Sequence, residues 1–187
     1  MLIEIRRTGE LVLRQKARNL TPEEVTSSPI QDLIASMFET MREAPGVGLA
    51  APQIGLPLQL AVIEDRETNA ERERAPVTPH VIVNPVLTLE GPRDVAFFEG
   101  CLSLPGFAAI VPRARSVRVD CLNERGEPVT IHAEGWYARI LQHEIDHLNG
   151  TLYIDRMLTR SFMTRENFEQ YWKDVSIADA LRKLAHE

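Results

Sequence analysis

With 187 residues, 44% of them hydrophobic and 26% charged, the chain has the size and balance of one globular domain spanning 1–187. A formal net charge of −6 argues against the broad basic surface that non-specific nucleic-acid binding demands. No run approaches the ~20 apolar residues of a membrane span, and Met1-Leu2-Ile3-Glu4-Ile5-Arg6-Arg7 lacks the basic-then-apolar order of an export signal. Cys101 and Cys121 are therefore expected to be reduced thiols in a cytosol-like compartment.

The first clear element is a helix over Pro29–Ala44, where Ile30, Leu33, Ile34, Met37, Phe38 and Met41 form a stripe at helical spacing. Ser28 is the expected cap and Gly46 the stop. The stretch from Gly46 to Gly55 is too rich in glycine and small residues for a helix interior. It lacks the Lys-Ser/Thr pair of a phosphate loop. A strand follows over Leu58–Ile63, then a charged segment, Glu64 to Thr78, expected to be a solvated loop or hairpin tip. Val81–Leu89 and Val95–Phe98 read as strands broken at Gly91-Pro92, and Ser116–Leu122 with Val129–Ala133 as a hairpin around Asn123–Gly126.

Trp136–Leu148 returns to helical spacing, with apolar residues nearly all round, so it is expected to lie at the centre of the fold. Gly150 stops it, Leu152–Ile154 reads as a short strand, and Arg165 to His186 as a largely helical tail with Ser176 as an internal cap. The expected class is α+β. Antiparallel strands surround a central metal-binding helix, with an outer N-terminal helix and a C-terminal helix.

That central helix carries Gln142-His143-Glu144-Ile145-Asp146-His147. Two imidazoles four residues apart lie within about 40° of each other around a helix axis, so both can bind one metal ion. Glu144 then flanks the open side as a proton carrier. A merely solvated His/Glu face fits poorly with the apolar flanks, because buried imidazoles beside carboxylates need compensation. A third protein ligand is required. Cys101, within Glu99-Gly100-Cys101-Leu102-Ser103, offers a thiolate, and Gly100 permits close backbone approach. Glu166 stands where a thermolysin-type endopeptidase would carry its third ligand.

Gly46-Val47-Gly48-Leu49-Ala50-Ala51-Pro52-Gln53, then Glu99-Gly100-Cys101-Leu102-Ser103, then Gln142-His143-Glu144-Ile145-Asp146-His147 resemble the three motifs of peptide deformylases, in order. The resemblance runs from Leu13-Arg14 to Asp155-Arg156, and Gly135-Trp136-Tyr137-Ala138-Arg139 is similar to the subgroup of organelles and some bacteria. It implies one metal held by Cys101, His143 and His147, Fe²⁺ by preference, with Zn²⁺, Ni²⁺ or Co²⁺ able to substitute. It implies removal of the formyl group from the formyl-methionine of newly made polypeptides. The compartment would be the bacterial cytoplasm, or an organelle after loss of a transit peptide.

The same resemblance gives Glu144 the role of base and then acid, and Gln53 and the Leu102 N–H the role of oxyanion donors. Val47, Gly48 and Gly100 would meet the peptide, and Phe97, Trp136 and Ile140 with Val47 would form the methionine pocket. The ribosome is a candidate partner through the tail. Smaller expectations are an Asp146–Arg113 pair, Glu99 orienting a ligand, and Gln142 bonding near Ser103. His80, His132 and His186 are expected to be structural or solvated, and Cys121 a core thiol.

Overall fold

The structure is a computed structural model and describes residues 2–185. After a capped turn of helix, α1 (Pro22–Val25), the amphipathic helix α2 spans Ser28–Glu43. Its N-cap is Ser27 rather than Ser28, which leaves Pro29 in the first turn, where a missing N–H does no harm. Its buried face, Ile34, Met37 and Met41, packs with Leu49, Leu60 and Val62. Those last three residues belong to β1 (Gly48–Ala50) and β2 (Leu60–Asp65).

The remaining strands are β3 (Val77–Leu89), β4 (Arg93–Cys101), β5 (Leu104–Ala114), β6 (Ser116–Leu122), β7 (Pro128–Glu134) and β8 (Met163–Thr164). They form two sheets with antiparallel pairing, ordered β1-β2-β3-β6-β7 and β4-β5-β8. The β6–β7 hairpin turns at Asn123–Gly126, with Gly126 at φ 74. Between the sheets lies α3 (Gly135–Leu148), buried at every position from Ala138 to Leu148 except His143. Gly135 enters it at φ 59 and Gly150 leaves it at φ 73. This is the expected α+β arrangement about a central helix.

Two local expectations need correction. Leu104–Ala114, assigned to no strand from sequence, is an 11-residue strand at the middle of the second sheet. Leu152–Ile154 is no strand. Asp155 accepts the Leu152 N–H at 2.8 Å and winds Tyr153–Asp155 into a 3-10 turn. The charged segment is the expected hairpin tip, joining antiparallel β2 and β3 with residues 66–71 exposed, but it is anchored at its base. Its first residues, Glu64 and Asp65, end β2 and are buried, and Ala70–Arg72 form a 3-10 turn closed by an Asn69–Arg74 bridge. Arg74 forks onto Asp65, and Arg115 onto Glu73, which lays the segment against the body.

The tail breaks into α4 (Arg165–Tyr171) and α5 (Ile177–Ala185), with Ser176 Oγ accepting the Asp179 N–H at 3.1 Å. Phe168 packs at a tilt against Phe98 of β4, centroids 4.9 Å apart, so the tail shares a core with the second sheet. His186 lies outside the described residues.

Candidate metal centre and substrate cleft

His143 and His147 project from one face of α3, their ring centroids 5.0 Å apart, as the four-residue spacing dictates. Across from them β4 bulges between Glu99 and Cys101 and then turns at Leu102–Ser103 into β5. Bulges re-aim side chains. Here the result is Cys101 Sγ at 3.2 Å from His147 Nε2. Donor atoms of Cys101, His143 and His147 all lie within 4.8 Å of one another, the one such trio among the described residues. Glu166 sits exposed on the first turn of α4, outside it, so the thermolysin-type ligand set is not formed.

The electrostatics of the trio suit a divalent cation. Burial resists ionisation of the Cys101 thiol, yet His147 and His143 outweigh it and pull its pKa well below the ordinary value. Burial likewise resists charging of His143, and Cys101 and Glu99 overcome it. One thiolate and two imidazoles are a donor set for late divalent metals, and three protein ligands leave a position open.

His143 is held from behind. Its Nδ1 meets Glu99 Oε2 at 3.0 Å, which leaves Nε2 for the metal side. Glu99 in turn takes Arg113 on both oxygens at 2.9 Å and Arg139 at 2.7 Å. Burial raises the Glu99 pKa, but Arg113 more than offsets it and keeps the carboxylate charged. Arg113 also bonds Asp146, as expected, and Arg156 forks onto the same carboxylate at 2.7 Å. Gln142 does not reach Ser103. Its amide clasps the backbone N–H and C=O of Ala114 at 3.0 and 2.8 Å, tying α3 to β5.

Glu144 borders the same cleft as His143 and Cys101. Burial raises its pKa, and its Oε2 is buried with no hydrogen-bond partner. Gly48 makes room for it, since a Cβ there would overlap the carboxylate, coming within 2.8 Å even of Glu144 Cγ. Gln53 is buried on the 3-10 turn Ala51–Ile54 after β1. It accepts the Ala50 N–H at 2.9 Å and aims Nε2 at Ser103 Oγ, 3.3 Å, and Cys101 Sγ, 3.6 Å. The N-terminal segment braces this corner, with Arg7 bonding the Leu102 carbonyl and Thr8 that of Ser103.

These groups border a cleft of about 1000 Å³. Val47, Gly48, Gly100 and Leu102 line it on the backbone side, and Trp136, Ile140, His143 and Glu144 on the helix side. His147 is buried behind them. Phe97 is not in the cleft wall. It packs against Trp136, centroids 6.1 Å apart, and borders a separate cavity of about 170 Å³, because strand alternation turns Phe98, not Phe97, toward the cleft. β1 ends its sheet, so one backbone edge faces the cleft unpaired by any strand.

Sequence reasoning missed Arg72 and Arg74, which overlie Trp136 from the charged loop, and Arg139, which supports it from α3. The alternation Glu71-Arg72-Glu73-Arg74 was the available signal. A purely solvated loop has no need of arginines at every second position. His80 bonds Tyr137 Oη at 2.9 Å and His132 is exposed near Glu90, both away from the centre. Cys121 is buried in the first sheet.

A family model described as polypeptide deformylase matches residues 2–162. The chain is 46% identical over 176 residues to peptide deformylase 1A, chloroplastic, of Solanum lycopersicum, covering 89% of this chain and 63% of that protein. It is 44% identical to peptide deformylase 1A, chloroplastic/mitochondrial, of Arabidopsis thaliana, covering 98% and 70%. The fold matches the Met-Ala-Ser-bound crystal structure of a class I type b peptide deformylase from Acinetobacter baumannii. The TM-score is 0.79 at 33% identity, over 84% of this chain and 99% of that one. The chain belongs to the polypeptide deformylase family, whose members are metal-dependent.

Proposed function

We propose that this chain hydrolyses the N-formyl group from the formyl-methionine of newly made polypeptides, releasing formate. The observation that carries the reading is the convergence of Cys101, His143 and His147 at the cleft, beside the buried and unpartnered Glu144 carboxylate. In this reading those three residues hold one divalent ion, Fe²⁺, and Zn²⁺, Ni²⁺ or Co²⁺ can take the same donors. A bound ion supplies Lewis acidity and brings the pKa of water toward neutral.

The chain's own residues do the rest. As the water oxygen bonds to the formyl carbon, Glu144 takes the water's proton. It gives a proton to the departing nitrogen as the C–N bond breaks, and formate and a free amino terminus leave. Gln53 Nε2 and the Leu102 N–H donate to the carbonyl oxygen as it becomes an oxyanion, each worth about 3–4 kcal/mol in the transition state.

An extended peptide adds to the free edge at Val47-Gly48, and Gly100 keeps the facing wall low. Val47, Trp136 and Ile140 receive the methionine side chain, with Phe97 supporting Trp136 from behind. The packing of Phe168 on Phe98 supports treating residues 1–187 as one catalytic domain. The substrate places the protein where chains start with formyl-methionine, in a bacterial cytoplasm or an organelle. The tail helices are the surface on which a ribosome contact would be sought.

The test is formate release from formyl-Met-Ala-Ser under anaerobic conditions, with iron measured on the same sample. Formate in step with iron content is expected. Fully metallated protein that releases none would sink the reading.

A further inference from the structure

Three guanidiniums gather on the indole of Trp136 at the cleft: Arg72 at 5.0 Å from a ring centroid, Arg139 at 5.6 Å and Arg74 at 5.8 Å. Two of them are neutralised. Arg74 forks onto Asp65 at 2.7 and 2.8 Å and reaches Glu67 at 2.6 Å, and Arg139 holds Glu99 at 2.7 Å. Arg72 is different. Half-buried and lining the cleft, its guanidinium has no ion pair and no hydrogen bond among the described residues. Burial lowers its pKa, Arg74 and Arg165 add repulsion, and Glu71 and Glu67 offset part of it at a distance, yet a guanidinium keeps its proton in a protein. A half-buried cation on an aromatic wall, with no protein partner for its guanidinium, can receive a carboxylate.

Strand geometry indicates which carboxylate. Side chains alternate along an extended peptide, so the third residue returns to the methionine's face, roughly 6.6–6.8 Å further on. The methionine pocket abuts Trp136, and Arg72 covers the same ring. Resting on the deformylase reading, we propose that Arg72 is a specificity-determining residue that pairs with an acidic side chain at the third position of the formylated peptide. In a short peptide a terminal carboxylate offers the same chemistry, so amidated substrates separate the two sources.

The experiment compares kcat/KM of the iron-loaded enzyme on formyl-Met-Ala-Glu-amide, formyl-Met-Ala-Gln-amide and formyl-Met-Ala-Lys-amide. The glutamate peptide should exceed the lysine peptide by roughly tenfold at low ionic strength, mostly through KM, and by less in high salt. In Arg72→Gln the ratio should fall to near one, and Arg72→Lys should restore part of it. Equal rates on the three amides, or a ratio that survives in Arg72→Gln, would overturn the proposal. So would a preference for free-acid formyl-Met-Ala-Ser over its amide without discrimination among the amides, since Arg72 would then recognise chain ends. No turnover on any peptide would bring down the deformylase reading and this inference together.

Discussion

The two sides of α3 are built on opposite principles. Toward the five-stranded sheet it presents Ala138, Leu141, Ile145 and Leu148, which pack with Ile63, Ile82, Val117 and Val119 in a dry apolar cluster. Toward the three-stranded sheet it presents Arg139, His143 and Asp146, which meet Glu99 and Arg113 in a buried web of charges, and Gln142, which clasps the Ala114 backbone. Apolar burial stabilises without direction. Buried ion pairs add little net stability, because desolvation offsets attraction, but they hold angles and distances. One face of the helix secures the fold, and the other aims its imidazoles.

The largest effect should come from Glu144→Gln, which keeps the shape of the site and removes the proton carrier. It should lower kcat/KM by about 10²–10⁴-fold while metal content and melting temperature stay close to the parent. Activity within tenfold of the parent would remove Glu144 from the mechanism.

Next come two substitutions that separate the faces. Glu99→Gln leaves Arg113 and Arg139 facing a neutral amide and should cost about 3–5 kcal/mol in urea unfolding. It should also weaken metal affinity by about 10–100-fold, through loss of its hold on His143. Leu141→Ala should cost about 2–5 kcal/mol by opening a cavity, yet leave metal affinity and the activity per folded molecule nearly intact. Equal losses of metal affinity in both variants would abolish the division between the faces.

Gly48→Ala sharpens the comparison from the cleft side. The new Cβ displaces the Glu144 carboxylate, and a shift of about 1 Å at a catalytic group costs roughly a hundredfold in rate. An unchanged kcat in this variant would show that Glu144 has slack. The smallest effect concerns Cys121. Burial, aided by Asp120, pushes its thiol up to about 11, so little thiolate forms at pH 8. Iodoacetamide on the native protein should leave Cys121 unmodified by mass spectrometry, and rapid alkylation would show that the apolar side opens.

Much of the fold was legible because its signals are local. The α2 stripe, the β6–β7 alternation and the α3 spacing each lie within one element. β5 was not. Pro105, Gly106 and Pro112 punctuate it, and its middle from Ala108 to Val111 is buried without alternation, so no period of two survives. The charged loop was legible as a solvated hairpin tip, but its anchoring was not. Composition reports that charges prefer water, but not that Asp65 and Glu73 would find arginines and lay the loop on Trp136.

By itself the sequence determined that two imidazoles share a helix face with a carboxylate between them, since 3.6 residues per turn admits no other outcome. Only the tertiary structure decided which distant side chain joins them. Cys101 arrives through the β4 bulge, Glu166 remains exposed on α4, and Phe97 turns behind Trp136 while Phe98 faces the cleft. Such choices follow from strand register and packing across tens of residues. A one-residue change of register reverses every side chain of a strand, and no local pattern records it.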